Sequence, residues 1–319
     1  MNTMKWLIQR EYWENKGMVF WAPAIVGAAM VIITALMVMA GNTMDLHFNS
    51  ERPVNFTEMT SIERHELASV ASAAFPVVAM PLYIMLSFLV FFYCLGALYD
   101  DRRDRSILFW KSLPVSDTET VLSKVTMALV GLPLVVAAVS FITALSILLL
   151  GTVGLAFHGL NLSGDLFASS NFWLAPFRML SILPVYLLWA LPTVGWLLLV
   201  SSWARSKVFL WAVGTPILSG ALLAWVNRAF HLGLNIEWYF ENVVLRLLGS
   251  VLPGAWMIFD RSARQAMEAQ QPHGALEKVL YFFNTAYASL ASPVLWAGVV
   301  AGVAMIAGAI WLRRWREEN

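Results

Sequence analysis

The sequence predicts an all-α integral membrane protein with six transmembrane helices. An N-terminal amphipathic interface helix and a helical, broken or re-entrant outer segment before the last span complete the layout. Three observations predict it. The six longest stretches without Asp, Glu, Lys, Arg or His run Gly17–Met44, Leu67–Tyr99, Val125–Phe157, Met179–Ala204, Val208–Asn227 and Tyr281–Leu312. Each is long enough to cross a bilayer, which takes about 20 apolar residues. The chain is 59% hydrophobic and 13% charged, against roughly 25% charged in a soluble domain. Thirteen of its 21 Lys and Arg fall on one side of a six-span topology. The Lys/Arg bias assigns that side to the cytoplasm, with both termini there. The expected location is a membrane that the chain crosses six times.

Each element follows from local pattern. Residues 1–16 mix aliphatic, aromatic and charged side chains, with Leu7, Ile8 and Tyr12 on one helical face. This pattern suits a helix lying on the membrane surface. The first apolar run is too long for a signal-peptide core, so it reads as a retained span despite Val38-Met39-Ala40. Spans are expected at about 18–41, 74–98, 125–151, 179–203, 208–226 and 291–312. A cytoplasmic loop at 99–124, outer loops at 42–73, 152–178 and 227–290, and a tail at 313–319 lie between and after them. Within the first outer loop, Met59–Ala71 could form a short helix. Pro184 and Pro192 should bend the fourth span. In the last outer segment the apolar run Val243–Phe259 carries Arg246 and Pro253-Gly254. These argue against a seventh crossing, which would also put the basic C-terminal tail outside.

Charge and composition exclude several functions. Net charge is +1, so whole-chain charge indicates no nucleic-acid partner. The one cysteine, Cys94, permits neither an intrachain disulfide nor a cysteine-built metal site. No ionisable side chain lies deep in any span, so the usual carriers of ion coupling are missing. Asp or His within the bilayer, which an intramembrane protease needs, is missing too. The histidines, His47, His65, His158, His231 and His273, all fall in expected outer regions. No phosphate-binding G-x-x-x-x-G-K-[ST] loop is present. The chain is therefore expected not to be an enzyme, and to carry no cofactor of its own. Any ATP hydrolysis belongs to a separate subunit.

The most informative segment is the loop Arg102-Arg103-Asp104-Arg105-Ser106-Ile107-Leu108-Phe109-Trp110-Lys111-Ser112-Leu113-Pro114-Val115-Ser116. Ser116 and Glu119 have capping-box spacing, which starts the third helix near Asp117. Ahead of it stands a mixed-charge cluster followed by exposed aromatics. Charges can orient a docking helix on a soluble partner, and aromatics can fill a pocket there. A plain basic loop obeying the charge rule is the simpler alternative. The segment resembles the first cytoplasmic loop of bacterial ABC-2 type transporter permeases, over about twenty residues. The resemblance implies a coupling helix that docks on an ATP-binding subunit. Arg102, Arg103, Asp104, Arg105, Phe109, Trp110 and Lys111 would form the ATPase-coupling site, with ATP and Mg on the partner. It also implies a second copy of the permease. The alternative function is a non-transporting scaffold, assembly or sensor subunit.

Weaker signals complete the reading. Gly298 and Gly302 form a GxxxG in the sixth span, a helix-packing site suited to contact within the chain, with dimerisation as the alternative. Val299 between them is expected to face lipid. Trp21, Trp173, Trp203 and Trp311 read as interface anchors. Asn55-Phe56-Thr57 is a formal glycosylation sequon. Spans without charge favour an apolar or amphipathic cargo.

Overall fold

A computed structural model of the chain describes residues 3–40, 71, 75–103, 116–157, 161, 163–270 and 275–315. Among these residues the regular structure is helical, and six helices are long and apolar enough to span a membrane. Helix α1 is Thr3–Glu14, α2 Gly17–Met39, α3 Phe75–Arg103 and α4 Asp117–Phe157. Two short helices follow, α5 Ser163–Ala168 and α6 Ser170–Ser181, then α7 Leu183–Trp203 and α8 Val208–Phe230. The segment expected on the outer side contains α9 Ile236–Tyr239, α10 Leu245–Gly249, α11 Ala255–Phe259, α12 Arg261–Gln270 and α13 Ala275–Ala288. The last helix is α14 Pro293–Trp315. The expected helix at Met59–Ala71 lies almost wholly outside the described residues, as do Asn55 and His47, His65, His158 and His273.

Among the described residues, proline accompanies two of the three places where a helix widens. Pro23 and Pro133 cannot donate to the preceding turn. Just before each, the helix widens into a π turn, Gly17–Trp21 and Met127–Gly131. There Ala22 N–H reaches Gly17 O, and Leu132 N–H reaches Met127 O. Backbone bonds at Asn15 and Val19 run α1 almost unbroken into α2. The fourth apolar run behaves differently from expectation. Helicity turns at Ile182, so Pro184 sits in the first turn of α7, where a missing N–H is harmless. Only Pro192 is interior to that helix.

Helix α7 occupies the middle. Its span has 56% of its apolar window buried, against 11% for α2 and 22% for α8. The main core joins Leu82, Leu86, Val90 and Cys94 of α3 with Leu132 and Val136 of α4 and Val194, Leu197 and Leu198 of α7. On its other side α7 meets α14 backbone to backbone. A Cβ on Gly195 would lie 2.5 Å from Gly302 O, and one on Gly302 would lie 2.7 Å from the Leu191 carbonyl. Gly298 faces the Arg246 guanidinium. Both glycines of the GxxxG thus serve contacts within the chain. Val299 does not face outward: it packs on the Trp189–Trp256 cluster, and Val300 is the exposed neighbour.

The outer segment reaches halfway along α7. Its helical run breaks after Gly249, where Pro253-Gly254 falls, and Gly254 adopts φ +83°, a conformation open to glycine. Ser250 N–H donates to Thr193 Oγ1 at 3.1 Å, and that hydroxyl donates to Arg246 O at 3.0 Å. Thr193 lies ten residues into α7, or about 15 Å at 1.5 Å per residue. Arg246 is buried there, 5.3 Å from the Trp189 ring, with Nη2 donating to Val294 O at 2.6 Å. A search of the six spans for ionisable groups misses this arginine, because it enters from the outer segment.

Gly302→Leu is expected to lower the apparent Tm in detergent by several degrees, since the α7 backbone itself must move. Val300→Leu should stay within about 0.5 kcal/mol of the parent. Equal thermal unfolding of the two variants would remove the backbone contact as a stabilising feature.

Candidate coupling site

The ends of α1, α3, α4, α7 and α14 meet near Arg102 and Asp117. At their centre is a buried ionic network. Glu11 and Lys124 are each only 2% exposed. Ions this deep are stable only when paired and hydrogen-bonded. Lys124 Nζ contacts Glu11 Oε1 at 2.9 Å and Asp101 Oδ2 at 3.2 Å. Tyr93 donates its hydroxyl to the other Glu11 oxygen at 2.8 Å. Asp101 also faces Arg313 at 3.6 Å and Arg10 at 4.0 Å. Arg313 Nε donates to Asp117 Oδ1 at 3.1 Å, and Arg10 Nε to Glu14 at 2.7 Å.

Local sequence places each member. Leu7 and Glu11, one turn apart, form the buried face of α1. Ser116 caps α4: its hydroxyl accepts from Glu119 N–H while the Glu119 carboxylate accepts from Ser116 N–H. That cap satisfies two orphan donors at the helix start. Thr3 donates to the same Glu119 at 3.1 Å, tying α1 to the cap. Asp117 stands in the first turn of α4 and Arg313 in the last turn of α14. Both positions agree with the helix dipoles.

The residues expected to couple to an ATPase fall in three groups. Arg102 turns inward: it donates to Ser201 O and to Ala204 O, the latter at 2.9 Å. These are carbonyls at the end of α7 that lack helical partners. Arg103 is exposed, its side chain 63% accessible and 3.9 Å from Asp100. Asp104, Arg105, Phe109, Trp110 and Lys111 lie outside the described residues. Helix α3 runs to Arg103 and α4 starts at Asp117, so both edges of the expected 99–124 loop are helical.

Sequence reasoning treated Lys124 and Arg313 as charges that set topology. It did not foresee that they would be buried against Glu11 and Asp101. Glu11 offered one signal, an acid on the same face as Leu7 and four residues from it. Among the described residues, no group of three His, Cys, Asp or Glu could hold a metal ion. Comparison with family models, curated proteins and solved structures finds no match.

Lys124→Met should destabilise the protein by about 3–5 kcal/mol, because it takes from the buried Glu11 carboxylate the cation that faces it. Adding Glu11→Leu should recover part of that loss. Chemical unfolding in detergent measures both; additive losses would show that the two side chains do not act as a pair.

Proposed function

We propose that this chain is the permease subunit of an ATP-driven exporter of the ABC-2 type, coupled to a separate ATP-binding subunit through residues 99–118. The observation that supports it best is how the 104–115 segment is mounted. One foot, at Arg102, is fastened to the end of α7. The other, at Ser116–Glu119, is tied to α14 through Arg313 and to α1 through Thr3. A force on the segment would act on a packed helix pair, α7 and α14, rather than on one strand of loop. A merely topological loop needs no such mounting. The loop sequence and the lack of a phosphate-binding loop in the chain agree with an external ATPase, which would supply ATP and Mg.

In this reading both termini are cytoplasmic and the membrane is a bacterial inner membrane. Helix α1 lies at the interface, with Trp6 and Trp13 exposed seven residues apart and Leu7 and Glu11 turned inward. The outer segment is re-entrant, its Arg246–Ser250 tip held at Thr193. Backbone within a membrane is tolerated where protein buries it. A second copy of the chain would complete the path. A scaffold or sensor subunit would have no need of an ATPase.

Trp110→Ala should cost about 2 kcal/mol or more of docking energy, roughly a thirtyfold loss of affinity. The ATPase should then be lost during purification. Arg105→Glu should instead slow assembly in a salt-dependent way. Full ATPase retention and normal activity in both variants would reduce the segment to a topological anchor. Cysteine labelling after Gly41, Asp117, Asp165, Arg205, Gln270 and Asn319 should alternate out and in; cytoplasmic labelling at 270 would overturn the topology.

A further inference from the structure

A cleft of about 410 Å³ lies at the outer end, between α9, the α11–α12 junction and the start of α14. Its volume is in the range of small-ligand sites. Trp238 and Ile258, both exposed, give it an apolar side. Arg261, Arg264, Glu241, Asp260 and Ser292 give it a polar one.

Two arginines and two carboxylates, Glu241 and Asp260, balance in that lining, and a helix start adds partial positive charge beside them. Helix α14 begins at Pro293 in the cleft wall, so the positive end of its dipole is there. Directly behind, the carbonyl of Val294 accepts from Arg246. Arg246 is buried, its Nε has no hydrogen-bond partner, and no carboxylate pairs with it among the described residues. A cation beside a helix N-terminus is disfavoured by that dipole, so the two add rather than cancel. The cleft's own carboxylates do not offset them freely. Glu241 faces Arg261 at 3.3 Å, and Asp260 accepts from Ser262 N–H and Oγ at the head of α12.

We propose that this cleft binds an anionic amphiphile. Its phosphate or carboxylate head would sit between Arg261, Arg264 and the start of α14, and its apolar body would run over Trp238 and Ile258. The ligand could come from the bilayer, as an anionic phospholipid, or arrive as cargo; the head-and-tail chemistry is the same. The inference goes beyond the transport reading and does not depend on it.

Native mass spectrometry of the full chain released from neutral detergent tests it. The probes are dioctanoyl phosphatidic acid, dioctanoyl phosphatidylcholine and inorganic phosphate. The first phosphatidic acid adduct should form at a concentration at least tenfold lower than the phosphatidylcholine adduct. Inorganic phosphate should not displace it. Arg261→Gln, a change at an exposed side chain, should weaken the adduct about tenfold. Glu241→Gln, which frees Arg261, should strengthen it severalfold. Equal adducts of the two lipids, or an unchanged adduct in Arg261→Gln, would overturn the proposal; displacement by inorganic phosphate would overturn its amphiphile part. An anionic phospholipid that survives purification and yields to phosphatidic acid identifies the bilayer as the source. A site that fills only on addition identifies cargo.

Discussion

Burying Lys124 is costly, and the loop end of the bundle is organised around it. An ammonium withdrawn from water loses several kcal/mol of hydration that only close, well-oriented anions return. Here two carboxylates return it, Glu11 from α1 and Asp101 from α3. Each of those then draws in a further group, Tyr93 for Glu11 and Arg313 for Asp101. Helices far apart in sequence must therefore end at one place. Apolar packing alone would allow them to slide, since lipid tails are as apolar as leucine. The network fixes their ends in register.

Helix α7 carries that register to the other end. Its last carbonyls hold Arg102, its middle lies against the α14 backbone, and its Thr193 holds the tip of the outer segment. Small residues make this possible, because Gly195 and Gly302 leave no side chain between the two backbones. Helices in contact at the backbone have little freedom to shift past one another. This pair is thus the stiff member of the molecule, while α2 and α8 present most of their surface outward.

The sequence displayed the spans, the α4 cap and the break near Pro253-Gly254 because each has a local cause. Apolar run length, Ser116–Glu119 spacing and glycine's access to positive φ act over a few residues. The ionic network was not legible. Glu11 and Lys124 are 113 positions apart, and charge counting cannot tell a solvated lysine from a buried one. Arg246 was visible as an obstacle to a crossing. Its place over Trp189 depends on folding the outer segment back on α7, which no local pattern records. The same holds for Pro184, where one turn at Ile182 moves a proline from a helix interior to a helix start.

The wide turn at Gly17–Trp21 has a consequence for spacing. A π turn adds one residue to an α-helix, and one residue corresponds to a rotation of about 100°. The face of α1 that carries Glu11 is therefore turned by about 100° relative to α2 from where an unbroken α-helix would put it. Deleting any one residue between Gly17 and Trp21 would let the helix close up into regular turns. It would also swing the carboxylate off the bundle. The count of residues in this stretch, more than the identity of any one, sets the direction in which Glu11 points.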